Sequence, residues 1–292
     1  MNNSLNIGAI SGLIAGLLGG IVFTISIRAS FSIGLYEPRF VSMYLVGQNA
    51  YGTNILIGII FGIICGVIYS RAYSLILGKG VSKGLFFGLI LLLILWIRHA
   101  TWCLAYGLYA YAASEVCTGF LKWVAYGLVL GFLYDLLISR YYPAREEPMI
   151  TTYDMRGGVL PGAIAGFLGG LAASLANLIS FITGLLGPQA MPGAPGKLIL
   201  DFWISQSGTH IFLNMFWGIV FGLMFPRVYN VVRSKGVSKG IIYGLTMWLI
   251  NGFQYGTYWI GWGWLSTGVW SHIVGFSNAI VYGLVLGALY RK

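Results

Sequence analysis

Charge is what this sequence has least of. Only 8% of its 292 residues are Asp, Glu, Lys or Arg, whereas a soluble domain carries roughly 25%. So few charges cannot cover a water-facing surface, which excludes an ordinary soluble globular domain. They suffice if most of the surface faces lipid. Acid is scarcer still, with seven Asp and Glu against 17 Lys and Arg. Three cysteines and no CxxC spacing exclude a disulfide framework. Cys103 and Cys117 read as small apolar fillers, with pairing at an oxidising outer face as the alternative. Proline is low, at 8, beside 43 glycines. Collagen-like and disordered chains couple high glycine to high proline or polarity, so both are excluded.

What is present is apolar length. A membrane-spanning helix needs about 20 mainly apolar residues. Eight runs qualify, near 6–30, 52–77, 83–110, 115–139, 158–184, 209–232, 239–260 and 267–290. The first has no basic region before it and is too long for a signal-peptide core, so it is expected to stay as a helix. The fold class expected is an all-α polytopic membrane protein with eight transmembrane helices.

The basic residues are unevenly placed between these runs. Arg71, Lys79, Lys83, Arg140, Arg145, Arg156, Arg227, Arg233, Lys235, Lys239, Arg291 and Lys292 fall on one side, 12 of the 17. Arg28, Arg39, Arg98, Lys122 and Lys197 fall on the other. Positive loops stay cytoplasmic, so both termini are expected inside. The net charge of +10 therefore reflects topology and does not call for nucleic acid as a partner; membrane lipids do the partnering. Trp96, Trp102, Trp123, Trp203, Trp259, Trp262, Trp264 and Trp270 lean toward the outer side, like an interfacial belt.

Self-similarity organises the chain. Residues 8–20 read GAISGLIAGLLGG and 158–170 read GVLPGAIAGFLGG, an offset of 150. GVSKG occurs at 80–84 and 236–240, and YGLVLG at 126–131 and 282–287, both at an offset of 156. The six extra residues fall in the Gly/Pro-rich loop around Gly187–Gly196. The expected organisation is a four-helix repeat over 1–140, a cytoplasmic linker at 141–157 and a second repeat over 158–292. An even number of helices per repeat gives both repeats the same polarity. The 4+4 arrangement is then a parallel repeat with a pseudo-two-fold axis along the membrane normal.

Glycines recur four apart in nearly every run, as at Gly8, Gly12, Gly16 and Gly20 or Gly158, Gly162, Gly166 and Gly170. Residues four apart share a helix face, and a face without side chains lets two backbones approach closely. That pattern, a glycine zipper, names a packing style and is not a lineage. Packing is its first reading, and a surface that slides during gating is the second. At the inner turns, Gly78 and Gly80 are expected to end one helix and Ser82 to N-cap the next, with Gly236 and Ser238 doing the same. GKGVSKG lacks the spacing of a phosphate loop and follows no strand.

Candidate chemistry lies with polar groups inside the apolar runs, since charges are costly there. By the two offsets Arg98 matches Gln254, His99 matches Tyr255, Lys122 matches Asn278 and Arg28 matches Leu178, beside Asn177. The first half is basic toward its outer side; the second carries amides, with Asn214 and Asn251 added. A ligand-binding set of Arg98, His99, Glu115, Lys122, Gln254, Asn251 and Asn278 follows. Arg28 and Lys122 are expected to snorkel toward phosphate headgroups. Arg98 lies 15 residues past Lys83, about 22 Å at helical rise, and needs a partner, for which Glu115 is the acidic candidate. His99, His210 and His272 are weak metal candidates, since no local motif joins them. No cofactor is identified.

No paired carboxylates or nucleophile–base pair can be read, which speaks against an enzyme. Scarce mid-membrane acids speak against proton coupling. Three functions remain: a transporter or channel subunit for a small polar or anionic solute, a non-catalytic scaffold of a larger membrane complex or homo-oligomer, and a haem- or metal-binding electron-transfer subunit. The topology has a direct test. Single cysteines placed in 141–157 should react only with membrane-permeant reagents in intact cells, and those in 187–200 with impermeant ones. Labelling of the linker from outside would reverse the orientation.

Overall fold

The computed structural model of the chain describes residues 2–34, 50–105, 107, 109–141, 158–182, 207–232, 234–261 and 265–290. Among these residues the structure is helical throughout, with no strand. Seven helices are long and apolar enough to cross a membrane: Ser4–Ser30, Tyr51–Leu75, Val81–Ala105, Tyr109–Tyr141, Val159–Ile179, Ser207–Val228 and Ser271–Leu289. The chain is a polytopic membrane protein by this measure. In lipid a spanning segment must satisfy its backbone internally, and a continuous helix does so.

The chain divides into two compact units, Met1–Thr151 and Thr152–Lys292. In the first, α1 (Asn2–Ser32) packs on α2 (Ala50–Ala72) and on α5 (Tyr109–Tyr141). A short turn at Tyr73–Leu75 closes α2. Next, α3 (Val81–Leu91) runs through a π-helical stretch, Leu92–Ile97, into α4 (Arg98–Ala105), and these pack on α5. In the second unit, α6 (Val159–Ile182) packs on α7 (Ser207–Val228) and on α10 (Leu265–Leu289). Two shorter helices, α8 (Val237–Ile250) and α9 (Gly252–Gly261), also pack on α10. The apolar run expected near 239–260 is therefore divided at Asn251. This is why seven uninterrupted helices qualify as spans and α8 and α9 singly do not.

The glycine registers are helix contacts. A Cβ added to Gly16 would lie 2.8 Å from the Cα of Gly62, and one added to Gly12 would lie 2.8 Å from the Cα of Gly66. In the second unit, Cβ atoms added at Gly166 and Gly222 would each lie 2.8 Å from the other's Cα. The α3–α5 and α8–α10 contacts repeat this. A Cβ at Gly131 would lie 3.0 Å from the Cα of Gly84, and one at Gly287 would lie 3.0 Å from the nitrogen of Gly240. Backbones this close gain dispersion and weak Cα–H···O contacts. A hydroxyl ties α5 to α2, and another ties α10 to α7. Tyr126 donates to the carbonyl of Gly62 at 3.0 Å, and Tyr282 donates to Gly218 at 3.1 Å.

The ends of the units that carry the GVSKG turns are built alike. Tyr69, Tyr73, Phe87 and Tyr134 form one aromatic cluster, with ring centroids 4.9–5.5 Å apart. Phe225, Tyr229, Tyr243 and Tyr290, each 156 residues on, form another at 5.0–5.4 Å. Lys83 holds its ammonium 3.9 Å from the centre of the Tyr73 ring, and Lys239 lies 3.8 Å from that of Tyr229. The GVSKG turns use Gly80 and Gly236 as N-caps at φ 52° and 53°, a region open to glycine. Ser82 and Ser238 thus do not cap, as was expected of them. Each sits two residues past the N-cap position, inside its helix. Ser82 instead accepts from the Lys79 amide at 2.9 Å and donates to the Lys79 carbonyl at 2.7 Å, fastening the turn. Ser238 donates to the Lys235 carbonyl at 2.6 Å.

Because the atoms facing Gly16 and Gly166 are backbone, neither site has a flexible neighbour to give way. Gly16→Leu and Gly166→Leu should each destabilise the protein by about 1–3 kcal/mol or more through overpacking. Thermal melting in detergent checks this. A wild-type midpoint in the double variant would mean that these faces do not carry the packing.

Candidate functional site

The helix Val81–Ala105 does not keep one hydrogen-bond pattern. Over Leu92–Ile97 it widens to a π turn, and the Arg98 amide donates to the carbonyl of Leu93, five residues back. A π turn places one more residue in the turn, so the residues after it are rotated about the helix axis relative to those before. Here it re-aims Arg98 and His99. In the second unit, the stretch 156 residues on is where Asn251 ends α8, with φ −104° and ψ −67°. Asn251, Gln254 and Tyr258 follow at three- and four-residue spacing and are all buried. The third apolar segment of each unit is thus irregular at one level, just before Arg98 in one unit and Gln254 in the other.

Below the π turn, Lys122 of α5 is 3% exposed. Its ammonium lies 4.8 Å from the ring centre of Phe23 on α1, 5.5 Å from that of Trp96 and 4.8 Å from that of Trp123. The ring of Phe23 stands edge-on to Trp96 at 5.1 Å. Two glycines make the room. A Cβ at Gly119 would lie 2.7 Å from the Cβ of Trp96, and one at Gly19 would touch the Lys122 stem at 3.8 Å. Aromatic faces carry negative potential, so three of them offset part of the lost hydration of the ammonium. The expectation that Lys122 snorkels to headgroups is therefore wrong. Its position on α5 turns it into the unit, and the rings give the charge a favourable place there. Arg28 does lie on the exposed face of α1.

Glu115 is 2% exposed and sits two turns before Lys122 on the same face of α5. Helical side chains lean toward the N-terminus, so the Lys122 stem extends toward Glu115. Both the Glu115 carboxylate and the buried thiol of Cys65 on α2 lie near Lys122. Glu115 likewise acts on Cys103 of α4. Trp96 stacks over Gly119, while Ala100 and Cys103 cluster with Ala112. Those contacts bracket Arg98 at the level of Glu115–Gly119. Its Nε is sealed from the surface. His99 packs its ring against Tyr111 at 6.0 Å. The structure thus gathers Arg98, His99, Glu115 and Lys122 in one part of the first unit.

The cage belongs to the first unit alone. Positions matching Phe23, Trp96, Lys122 and Trp123 are Ala173, Gly252, Asn278 and Ala279. The space is refilled by Trp248, one turn before Gly252. A Cβ at Gly275, the counterpart of Gly119, would lie 2.8 Å from its ring. Trp248 in turn packs on Phe253 at 5.5 Å and Phe276 at 5.2 Å. The ring of His272 lies 4.9 Å from Phe253 and over Gly256. Gln254, at 3% exposure, has an Nε2 without a hydrogen-bond partner among the described residues, as does the Oδ1 of Asn278.

No group of three or more His, Cys, Asp or Glu that would hold a metal ion occurs among the described residues. Cys103 and Cys117 are both free. The side chains of Trp203, Tyr255, Trp259, Trp262, Trp264 and Trp270, the cations Arg39, Arg145, Arg156, Lys197 and Arg233, and most of the 141–157 linker lie outside the described residues. Phe23 and Cys65 were not singled out by the sequence reading, and Trp96 and Trp123 only as belt residues. The signal was there, since the lysine and all three rings disappear together at the matching positions.

The cage makes an energetic prediction. Phe23→Leu keeps bulk but removes a π face and should cost roughly 0.5–2 kcal/mol. In a Lys122→Met background the same exchange should cost clearly less, because no cation remains to couple. Melting midpoints of the four proteins form the cycle, and additive effects would show that ring and ammonium do not interact.

No protein-family model, curated protein or solved structure matches the chain, so its function has to be argued from this site itself.

Proposed function

We propose that the chain is a membrane transport protein or channel subunit for a small anionic solute, with its site in the first unit between the π turn and α5. The observation that carries the reading is the irregular segment. A spanning helix that loses its α pattern over Leu92–Ile97 does so directly before Arg98, beside the buried pair Glu115 and Lys122. Irregular backbone at membrane depth is tolerated where it is enclosed by protein or lines a solute path, and transporters place binding sites there. A guanidinium at that level supplies bidentate donors for an anion.

The reading includes the duplication. Taken together, α8 and α9 make one crossing interrupted at Asn251, which brings the crossings to eight, four per repeat. Matching contacts at the 156-residue offset support descent of both units from one four-helix ancestor: the two tyrosine hydroxyl bonds, the two lysine–tyrosine pairs and the two aromatic clusters. Even parity then calls for an axis along the membrane normal, with both termini cytoplasmic. Divergence is concentrated at the cage and at Arg98, as expected if only the first repeat kept a charged site.

A scaffold role is the second reading, favoured by the close backbone packing of α1 on α2, α3 on α5, α6 on α7 and α8 on α10. Arg98→Gln separates the two. The second unit already carries Gln254 at that position, so the variant should fold with little change in melting midpoint. In the transport reading it should lower chloride uptake into liposomes by about tenfold or more, the scale expected when a charge-assisted contact of roughly 1.5–3 kcal/mol is lost. Flat chloride uptake in wild type and variant alike would leave the scaffold reading standing.

A further inference from the structure

We propose that Glu115 and Lys122 form one proton-binding site, and that a proton entering it crosses together with the anion. The inference rests on the transport reading above and names its coupling ion.

The geometry supplies a buried acid and a buried base on one helix face, two turns apart, in an otherwise apolar interior. Helix α1 brings the Phe23 ring and Gly19 to Lys122. Helix α2 brings Cys65 toward Lys122, and α4 brings Cys103 toward Glu115, with Arg98 and His99 on the same short helix between Trp96 and Cys103. On α5 itself, Thr118 lies between the pair, and Tyr126 lies one turn beyond, its hydroxyl committed to the carbonyl of Gly62. The Thr118 hydroxyl is likewise committed, donating to the carbonyl of Ser114 at 2.8 Å. Glu115 is thus the one carboxylate among the described residues that answers the Lys122 charge. Scarce acids in the apolar runs had spoken against proton coupling. The burial of this single acid beside a caged cation removes that objection.

The charge balance follows. With Glu115 ionised and Lys122 an ammonium, the pair is neutral overall. A proton from water forms an O–H bond on a Glu115 carboxylate oxygen, while Lys122 keeps its three N–H bonds. The pair then carries one positive charge, beside Arg98, in a medium that strengthens electrostatic attraction. A monovalent anion is held best in that state. Release breaks the O–H bond, returns the proton to water and restores the neutral pair, which lets the anion go. One proton and one anion move together, and no net charge crosses.

The second unit is a built-in contrast. Glu115 and Lys122 are matched by Ser271 and Asn278, and Cys65 and Tyr69 by Phe221 and Phe225. The aromatic cluster at the GVSKG end survives there while the acid and base do not, so the pair is not needed to hold a four-helix unit together.

The test uses the full-length protein in phosphatidylcholine liposomes loaded with a chloride-quenched dye and a pH-sensitive dye. An inward chloride gradient is imposed with no initial pH gradient. Wild-type protein should take up chloride and acidify the lumen, one proton per chloride ion, at a rate unchanged when valinomycin and potassium clamp the potential. Glu115→Gln fixes the side chain in a neutral form. It should lose lumen acidification, and whatever chloride uptake the variant shows should become faster under the valinomycin clamp because charge now crosses alone. Wild-type chloride uptake without acidification overturns the proton inference and leaves the transport reading intact. Acidification that persists in Glu115→Gln also overturns it. Absence of chloride uptake in wild-type protein overturns the transport reading, and the inference with it. If Glu115→Gln does not fold, the wild-type stoichiometry decides alone.

Discussion

Between two helices in lipid there is no hydrophobic gain to be had, because the acyl chains they leave are as apolar as the side chains they meet. What remains is dispersion and weak backbone contact, and both fade within tenths of an ångström. The glycine registers are the answer to that constraint. Gly12 and Gly16 against Gly62 and Gly66, and Gly162 and Gly166 against Gly222 and Gly218, bring backbone to backbone with no side chain between. Everything else in each unit is hung on these contacts. They bring the Tyr126 and Tyr282 hydroxyls within reach of glycine carbonyls. They also allow a long polar side chain on α5 to be enclosed by its neighbours.

Enclosure is what gives Lys122 its character. In a solvated position it would be one more interfacial lysine. Held among Phe23, Trp96 and Trp123, it is a cation whose hydration has been exchanged for ring quadrupoles and the charge of a nearby carboxylate. A site of that kind responds strongly to any change in the charge around it. That sensitivity links the packing of the unit to the coupling proposed for it.

Much of the fold could be read from the chain, and the reasons are local. Long apolar runs and four-residue glycine spacing are properties of single helices, so α1, α2, α5, α6, α7 and α10 stood out. The π turn at Leu92–Ile97 and the break at Asn251 did not, because both stretches are apolar on either side and nothing in their composition marks a change of hydrogen bonding. Ser82 was misplaced by the two residues that separate it from Gly80, since a positive φ is not visible in a serine-containing turn. The site was half legible. Arg98, Glu115 and Lys122 attract notice as charges in apolar runs. The direction in which Lys122 points did not, because it is decided by Phe23 and Trp96, which come from other helices. Comparing positions 23, 96, 122 and 123 with 173, 252, 278 and 279 is the sequence-level signal that would have found the cage.

The central claim is that Lys122 is enclosed within the first unit and does not reach the headgroup layer. Amine-reactive footprinting of the native protein in lipid nanodiscs, read by mass spectrometry lysine by lysine, tests it. Lys79 and Lys235, exposed residues each immediately before a GVSKG turn, should label readily. Lys122 should stay unmodified until the protein is unfolded, and should label sooner in Phe23→Ala, where one wall of the cage is gone. Labelling of Lys122 in the native wild-type protein as fast as Lys79 would contradict the account.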